Sequence, residues 1–439
     1  MASFSGDSKT SSHPLRLFDY LTLNAYWFSI SYLWNSMGPI LLPALVTLLV
    51  PESQKGGALG TISALGLIVA IIVQPAAGAW SDAHTSRWGR RRPYIVVGTL
   101  FDVLFLLAMA FSGEYLMLLL AYLLLQTSSN VAHGPYQGYI PELVPEAKRG
   151  AVTGVKQFME IAGMVITSLA IGSLVGQGQM LGAFLTIIAI LLLGMGVTAL
   201  FVTEKPFDGT PQSSQKLGGQ EFRLTNLGDS LRLLFHSRDF FLWLVSRLAI
   251  LVGANLVRNY ALYFFRDVLG LSNPAAAVGN LLAIIAVSIA IVVYPSGALS
   301  DRFGRKWLII FSGVLGAIGS LLLMTATTQE QALIYGSIIG ISAGIFLSVN
   351  WAWGADLIPA SSGGWYLGVS NLATAGSGVL AGVGGFMLDY FNAQSHNLGY
   401  TALYLSGAIC YFVGTAIAFG VKDPAAKARQ SRSEKSSES

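Results

Sequence analysis

Long apolar stretches recur along the chain from Asn24 to Gly420, and only short polar segments interrupt them. A membrane-spanning α-helix needs about 20 mainly apolar residues, so each stretch is long enough to cross a bilayer. The pattern predicts an all-α integral membrane protein with twelve transmembrane helices, at about 24–49, 57–80, 94–113, 115–140, 151–175, 180–202, 239–264, 274–299, 308–327, 330–354, 365–389 and 399–421.

The longest polar segment between these stretches divides the chain in two. Residues 203–238 contain Pro206, Pro211 and a Gly-Gly pair, which is a composition typical of linkers. They separate an N-terminal six-helix half, 24–202, from a C-terminal half, 239–421. Residues 1–23 and 422–439 are expected to be cytoplasmic tails, and the second tail lacks the apolar periodicity that folding needs.

The basic residues are distributed unevenly between the two ends of the predicted helices. If both termini are cytoplasmic, nearly all lysines and arginines outside the helices lie in cytoplasmic loops and tails, with Lys55 and Arg266 as the exceptions. This asymmetry obeys the positive-inside rule. Only 11% of the residues are charged, against roughly 25% in soluble domains. We therefore expect a multi-pass protein of the cell membrane, embedded in the lipid bilayer, and no nucleic-acid partner.

Two short motifs occur twice. The first is Gly78-Ala-Trp-Ser-Asp82 followed by Arg87-Trp-Gly-Arg-Arg91, and its echo is Gly297-Ala-Leu-Ser-Asp301 followed by Arg302-Phe-Gly-Arg-Lys306. The second is Glu142-Leu-Val-Pro145, echoed by Asp356-Leu-Ile-Pro359 at the end of the fourth helix of each half. The echoes predict two pseudo-symmetric halves, the build of alternating-access transporters, in which the substrate site lies near the midplane between the halves.

The repeated loop resembles the signature loop of the major facilitator superfamily. The stretch from Ile72-Val-Gln-Pro75 to Ile95, together with Asn130, Gly134 and Pro135, is also similar to the sucrose-transporter-like proteins and the glycoside-pentoside-hexuronide:cation symporters. The resemblance implies a major facilitator fold and sugar transport. In that superfamily the loop bridges the halves and stabilises the outward-open state, which implies a gating role for Asp82, Arg87, Gly89, Arg90, Arg91, Asp301, Gly304 and Arg305.

Two glutamines depart from the patterns of these families. Gln74 stands where sodium-coupled symporters carry an aspartate before the proline, which disfavours sodium coupling. Gln126 stands where proton-coupled sucrose transporters carry an aspartate in the fourth helix. Either another carboxylate couples transport to protons, or transport is uncoupled.

Ionisable side chains within predicted helices are candidates for coupling, because each costs about 2.5–3.5 kcal/mol at the helix centre. Besides Arg247 and Arg258, these are Asp102, Lys156 and Glu160. Lys156 and Glu160 are four residues apart and can form an ion pair on one helical face. We expect Glu160, Asp102 and Lys156 to take part in proton coupling. The alternatives are a structural ion pair for Lys156 and Glu160, and capping or pairing with an arginine for Asp102.

Sugars are held by polar side chains that hydrogen-bond hydroxyl groups and by aromatic faces that cover C–H surfaces. Several predicted helices combine these residue types. For any single aromatic residue, core packing or a position at the membrane interface is the alternative. As a set, the candidates for substrate binding are Trp34, Asn35, Gln126, Asn130, Tyr136, Gln137, Asn255, Arg258, Asn259, Asn350, Trp351 and Asn371.

The sequence thus predicts a secondary active transporter that moves a disaccharide or glucoside, with proton symport as the mechanism. An uncoupled facilitator or an exporter of another small organic solute is the alternative. His and Cys residues do not occur at metal-binding spacings, and no catalytic motif stands out, so neither a cofactor nor an enzymatic activity is expected. We expect the transporter to act as a monomer.

Overall fold

The computed structural model describes residues 16–83, 86, 88–204, 238–357 and 363–422. In this part of the chain, twelve helices are long and apolar enough to cross a membrane, which confirms the predicted fold class. We call them spans 1 to 12. They run over Leu17–Leu49, Glu52–Asp82, Arg92–Ala110, Tyr115–Leu143, Glu146–Gly176, Met180–Phe201, Arg238–Asn259, Pro274–Phe303, Arg305–Met324, Gln329–Leu357, Val369–Gln394 and Leu398–Gly420. Most of the predicted linker and tails lie outside the described residues.

Span 1 begins at Leu17 rather than near residue 24. The Asp19 carboxylate accepts the Arg16 backbone N–H at 2.7 Å, which caps the first turn and allows the helix to start earlier. A π-helical turn at Met37–Leu41 interrupts the span before it continues to Leu49. A short helix at Ala261–Asp267 follows span 7, and its residues 261–265 are buried.

The two halves repeat the same set of helix contacts. Span 1 packs against spans 5 and 6, span 4 against spans 2 and 3, and span 3 against span 6. In the second half, span 7 packs against spans 11 and 12, span 10 against spans 8 and 9, and span 9 against span 12. Each packed pair of one half therefore has a counterpart in the other, which is the pseudo-symmetry that the repeated motifs predict.

The halves meet along two seams, span 2 against span 11 and span 5 against span 8. Glycines allow close backbone approach in both. A Cβ on Gly382 would lie 2.7 Å from the Gly60 carbonyl oxygen, and one on Gly172 would lie 2.9 Å from the Ala275 carbonyl oxygen. Small residues are what permits such approach between membrane helices, where dispersion contacts drive association.

Both seams are tight at one end of the bundle. We call the end with residues 86–91 and 304–306 the basic side, and the end with residues 52–55 and 266–273 the opposite side. Near the opposite side, Ile62 of span 2 and Val278 of span 8 are fully buried, whereas Ile72 and Tyr294, further along the same spans, are 65% and 84% exposed. A cavity of about 570 Å³ lies between spans 5 and 8 in the half nearer the basic side.

The close glycine contacts generate a prediction about stability. Replacing Gly382 by alanine should lower the melting temperature of the purified protein, because the new Cβ meets backbone that cannot move aside, at a cost of about 1–3 kcal/mol. Gly196→Ala is the control, since nothing lies within 4 Å of a Cβ at that position in span 6. Equal melting temperatures for the two variants would show that spans 2 and 11 can lie further apart at this seam without loss of stability.

Candidate functional site

An ion pair lies near the middle of span 5. Lys156 Nζ is 3.5 Å from the Glu160 carboxylate, which confirms the predicted pairing, and both side chains keep about a quarter of their surface exposed. Lys156 also lies over the Trp27 ring, 3.9 Å from its centroid, which adds a cation–π contact. The pair therefore connects span 5 with span 1 and remains within reach of solvent.

A histidine with two amide partners lies next to this ion pair. His133 Nδ1 is 3.0 Å from Gln74 Nε2, and its Nε2 is 3.3 Å from Gln137 Nε2. The imidazole also meets the Trp27 ring edge to face at 5.0 Å. Both glutamines present an amide NH2 group, which only donates, so the nitrogen of neutral imidazole that carries no hydrogen can accept from one of them. Gln74, which replaces the aspartate of the sodium-coupled symporters, thus serves as a hydrogen-bond partner of His133.

A chain of hydrogen bonds joins the two halves. Arg258 of span 7 donates to Asn35 Oδ1 of span 1 at 2.6 Å. Asn35 donates to the Ser31 carbonyl oxygen at 2.8 Å, and the Ser31 hydroxyl donates to the Glu160 carbonyl oxygen at 2.6 Å. Arg258 of the C-terminal half is therefore linked, through the side chains of Asn35 and Ser31, to the backbone of Glu160, whose carboxylate is partly exposed.

A second arginine organises the interior of the C-terminal half. Arg247 donates to Asn350 Oδ1 and, at 3.0 Å, to the Thr374 hydroxyl. Its guanidinium carbon lies 4.7 Å from the centroid of the Trp351 ring. Arg247 is 3% exposed, whereas Trp351 remains partly exposed. The arginine thus holds an amide and an aromatic ring, both predicted to bind substrate, on one side of the interior.

Three predicted substrate residues are buried within the N-terminal half instead. Asn130 donates to Gln126 Oε1 at 3.2 Å and to the Gln126 carbonyl oxygen, and Gln126 donates to the Tyr122 hydroxyl at 2.9 Å. The Tyr136 hydroxyl donates to the Leu23 carbonyl oxygen at 2.7 Å. The bonds of Asn130 and Gln126 stay within span 4, whereas Tyr136 joins span 4 to span 1.

The other predicted substrate residues are accessible to different degrees. Asn371 and Gln137 are exposed, and Trp34 and Asn259 are partly buried. Asn255 donates to the Ser377 hydroxyl at 3.1 Å, which ties span 7 to span 11. These side chains come from spans 1, 4, 7 and 11, the helices that also carry Asn35, His133, Arg258 and Thr374.

Asp102 occupies a different environment from Glu160. Its carboxylate accepts a hydrogen bond from the Ser128 hydroxyl, and its second oxygen is buried without a partner. The residue is fully buried where span 3 packs on span 4. Pairing with an arginine, which was one alternative to a coupling role, does not occur among the described residues. An unsatisfied carboxylate oxygen is costly in such a place, and the neutral, protonated acid lowers that cost.

Polar contacts between the halves also concentrate at the opposite side. Lys55 pairs with Asp267, and Arg266 pairs with Glu52, so each ion pair crosses from one half to the other. Asp389 of span 11 accepts the backbone N–H groups of Gly56 and Gly57 at 2.9 and 2.6 Å, at the start of span 2. A carboxylate is favoured at a helix N-terminus, where the backbone donors are unpaired. We call these contacts the opposite-side gate.

Asp267, a member of the gate, has a shifted pKa. Burial alone would raise the pKa of Asp267, but hydrogen bonds from Lys55, Tyr400 and Arg266 outweigh burial and lower it below 3.8, the ordinary value. The ionised form of Asp267 is therefore the form that the closed gate stabilises.

At the basic side, each half forms its own charge cluster. Arg91 donates to Glu142 Oε2 at 2.9 Å, to Asp82 Oδ1 at 2.9 Å and to the Pro135 carbonyl oxygen at 2.8 Å. Arg90 pairs with the same Glu142. The two repeated motifs of the N-terminal half thus meet in a single cluster.

The C-terminal half repeats this arrangement. Arg305 pairs with Asp356 at 2.6 Å, lies 3.9 Å from Asp301 and donates to the Ala352 carbonyl oxygen. Gly89 and Gly304 share a φ of 99°, which side chains rarely allow and which explains the glycine in each motif. In this conformation both clusters lie within their own halves, and a bridge between the halves stays a prediction for another conformation. Arg87 lies outside the described residues.

Sequence reasoning missed Trp27 and Ser31 as members of the site and did not assign His133 a role there. A signal for the first two exists, because Trp27, Ser31 and Asn35 follow one another at intervals of four residues and so line one face of span 1. His133 is four residues before Gln137 on span 4. No local pattern indicates that these two faces meet span 5.

The sequence model of a protein family described as "MFS/sugar transport protein" matches residues 55–363 of this chain. Among curated proteins, the fosmidomycin resistance protein of Escherichia coli is 22% identical over 80% of this chain and 85% of its own length. The glucuronide carrier protein homolog of the same species is 23% identical, over 69% and 66%. The sucrose transport protein SUT1 of Oryza sativa subsp. japonica is 25% identical, but over only 37% of this chain and 38% of its own length.

Two solved structures share the fold. A D-xylose-proton symporter superposes with a TM-score of 0.67 at 20% identity, over 90% of this chain and 96% of its own. The nucleoside transporter NupG superposes with a TM-score of 0.69 at 15% identity, over 92% and 98%. The family and these structures are transporters, which confirms that the chain is not an enzyme.

The opposite-side gate generates a prediction about conformation and pH. Spin labels on the exposed Ser53 and Ser395 report the separation of the two halves at that side, and Asp267→Asn should shift their distances to larger values. Glu330→Gln, at an exposed start of span 10, should not.

The pKa of Asp267 sets the pH window for this test. Because the pKa of Asp267 is lowered in the closed gate, ionisation of its carboxylate favours the closed gate above about pH 3.8. This contribution to closure is lost as the pH falls through the lowered pKa. The label distances of the wild-type protein should therefore stay constant between pH 8 and pH 5. Opening of the gate within that range would mean that another group controls it.

The basic-side clusters generate a prediction about stability. Arg91→Ala should destabilise the protein by about 2 kcal/mol, because it leaves two carboxylates and a carbonyl oxygen with fewer donors. Arg305→Ala should cost less, since Arg305 has only one close carboxylate. Chemical or thermal unfolding in detergent measures both. If Arg91→Ala changes transport but leaves the unfolding transition in place, the cluster acts only in gating.

Proposed function

This chain belongs to the MFS/sugar transport protein family, and from that premise we propose that it is a secondary active transporter that carries a sugar together with protons by alternating access. We further propose that it acts as a monomer in the cell membrane with both termini in the cytoplasm. The basic side carries most of the described basic residues, and the two on the opposite side, Lys55 and Arg266, are in ion pairs. The positive-inside rule therefore supports a cytoplasmic basic side.

The observation that carries this proposal is the one-sided contact between the halves. Glycine seams and ion pairs join the halves at the opposite side, whereas an open, mostly apolar cleft of about 570 Å³ lies between spans 5 and 8 nearer the basic side. With the proposed orientation, the structure is the inward-open state. Outward opening would break the gate and bring the basic-side clusters of the two halves together.

The residues at mid-depth support a sugar as the solute. Trp34 and Asn35 of span 1 and Trp351 of span 10 are partly exposed and supply two indoles and an amide, whereas Asn350 is fully buried beside Arg247. Such side chains can cover a pyranose face and hydrogen-bond its hydroxyl groups. Some relatives are named as sucrose transport proteins and one as a lactose permease, which supports a glycoside or disaccharide.

Glu160 is the carboxylate best suited to proton coupling. It is partly exposed, pairs with Lys156, and its backbone carbonyl receives the hydrogen bond that ends the chain from Arg258. Protonation would neutralise the carboxylate and release Lys156 to other partners, which changes the contacts of span 5 with span 1. A proton can bias a switch only through such a state-dependent interaction. Asp102, sealed between spans 3 and 4, is the second candidate.

The alternative function is that of an uncoupled facilitator, or of an exporter of another small organic solute. The absence of a carboxylate at positions 74 and 126 favours the uncoupled facilitator, and the fosmidomycin resistance protein, aligned over 80% of this chain, is a relative that is not named as a sugar carrier. Under this alternative, Glu160 and Lys156 form a structural ion pair.

Proteoliposomes distinguish the two functions. Uptake of radiolabelled sucrose, maltose and glucose is followed with and without an inward proton gradient, for the wild-type protein, Glu160→Gln and Asp102→Asn. With one proton per sugar, a gradient of one pH unit supports about tenfold accumulation, since one unit corresponds to about 1.4 kcal/mol. We expect Glu160→Gln to abolish accumulation while sugar exchange at equal concentrations continues.

Other results would revise the proposal in defined ways. Loss of accumulation in Asp102→Asn alone would move the coupling role to the buried carboxylate. Uptake that equilibrates but never concentrates in the wild-type protein would make it a facilitator. No uptake of any sugar would overturn the substrate assignment.

A further inference from the structure

The cleft between spans 5 and 8 is apolar. Its volume is about 570 Å³, and of the described residues that line it, Gln157 alone has a polar side chain. Water fills a cavity only where several polar groups can hydrogen-bond it, and even an apolar cavity of about 150 Å³ stays dry and takes up hydrocarbon instead. The occupant that suits this cleft is therefore a hydrocarbon group.

The cleft is continuous with the exposed apolar surface of the two spans. Phe158 and Ile166, which line it on span 5, are 67% and 49% exposed, and Ile291 and Tyr294 beside its lining on span 8 are exposed as well. On span 5 the lining runs from Gly154 to Ile166, about 18 Å of helix at 1.5 Å per residue. One leaflet contributes about 15 Å to the hydrocarbon core of a bilayer. One acyl chain of a lipid therefore has a suitable length for the cleft.

The cleft lies on a different face of span 5 from the ion pair of Lys156 and Glu160. Lys156 and Val165 are about two and a half helical turns apart, so their side chains point to opposite sides of the helix. Lys156 lies over Trp27 of span 1, whereas Val165 lines the cleft. The apolar cleft is therefore separate from the ion pair that we propose for proton coupling.

Each of the two spans carries a basic residue at its basic-side end, on the face that is exposed beside the cleft. On span 5, Lys148 precedes Ile166 by about five helical turns and so lies on the same face. On span 8, Arg302 follows Ile291 by about three turns and shares its face. Basic side chains at the ends of membrane helices extend to the headgroup region and attract anionic lipids. The charges beside the cleft thus favour an anionic headgroup over a zwitterionic one.

We propose that an anionic glycerophospholipid binds at this place, with its headgroup at Lys148 and Arg302 and one acyl chain in the cleft between spans 5 and 8. Closure of the basic side would bring the two spans together there and expel the chain. A ligand that binds one of two conformations shifts the equilibrium toward it. The lipid would therefore favour the state in which the basic side is open. The inference rests on the proposed function only for this switch, since the lipid site itself does not depend on which solute is carried.

Photo-crosslinking from a matched pair of lipids tests the site. Phosphatidylglycerol and phosphatidylcholine with the same diazirine-bearing acyl chain are each added to nanodiscs of phosphatidylcholine, and mass spectrometry identifies the labelled peptides. The wild-type protein is compared with Lys148→Gln/Arg302→Gln and with Ala290→Trp, which places an indole in the cleft. The matched control is Arg238→Gln/Lys422→Gln, which removes two exposed basic residues from spans 7 and 12 at the basic side.

We expect phosphatidylglycerol to label the cleft residues of spans 5 and 8 at least about fivefold more than phosphatidylcholine, the order of effect of one basic residue at a membrane surface. Lys148→Gln/Arg302→Gln should label equally with both lipids, and the control should keep the preference. Ala290→Trp should lose cleft labelling with both lipids, because the indole takes the space of the acyl chain.

The distances across the opposite-side gate test the effect on conformation. The spin labels on Ser53 and Ser395 are measured in the Asp267→Asn variant, whose gate we expect to open more readily. Exchange of phosphatidylcholine for phosphatidylglycerol in the nanodiscs should raise the ratio of closed to open gate by about fivefold or more. The same exchange should have no effect once Lys148→Gln/Arg302→Gln is added.

Three results would overturn the inference. Equal labelling of the cleft by the two lipids would refute recognition of the headgroup, and labelling confined to other spans would refute the site. Displacement of the lipid by 4-nitrophenyl β-D-glucoside but not by glucose would assign the cleft to the apolar part of a solute. Sugar uptake combined with any of these results leaves the proposed function standing. A phosphatidylglycerol preference in a protein that carries no sugar would support the lipid site and refute only the proposed function.

Discussion

The cost of an unpaired charge in a low-dielectric interior organises this structure. Ionisable side chains are rare in the spans. Those near the two ends of the bundle form ion pairs, whereas Asp102, Arg247 and Arg258 have no oppositely charged partner among the described residues. At the basic side the partners belong to the same half, as for Arg91 and Glu142. At the opposite side they belong to the other half, as for Lys55 and Asp267. The charges thus stabilise each half in one place and join the two halves in another.

Under the proposed alternating-access mechanism, this division gives the fold two states. Contacts within a half persist when the halves rotate against each other, whereas contacts between the halves exist in one orientation only. The glycines at positions 60, 172 and 382 add dispersion contacts that depend on the same close approach. The opposite side is therefore held by interactions that all vanish together on opening, and this is what makes a transition between two discrete states possible.

The sequence allowed the fold to be predicted but only part of the site. Twelve apolar stretches and the repeated motifs were sufficient for the spans and their pseudo-symmetry, because both signals are local. The pair of Lys156 and Glu160 was also local, at a spacing of four residues. Contacts between distant spans were not predictable in this way. Nothing in a single sequence brings Glu142 to Asp82 through Arg91, although each motif was recognised by itself.

Polar residues within spans were harder to interpret. Gln126 and Asn130 were expected in the cavity, but they hydrogen-bond each other inside the N-terminal half. A helix in a bundle of this kind has a polar face toward the cavity and can have another toward its neighbours, and periodicity alone does not distinguish them. Asp102 and Glu160 illustrate the difference, since one carboxylate is sealed at a helix contact and the other remains partly exposed.

A path of hydrogen bonds connects the two halves from Arg258 through Asn35 and Ser31 to Glu160. It begins at Arg258 of the C-terminal half, which has no carboxylate partner within the described part of the chain, and ends at the backbone of Glu160 in the N-terminal half. Since Ser31 holds the carbonyl of Glu160 rather than its carboxylate, the hydrogen bond positions span 5 without determining the protonation state of Glu160. Proton binding and solute binding can then act on the same interface between spans 1, 5 and 7 through separate groups, and coupling requires no direct contact between the proton and the solute.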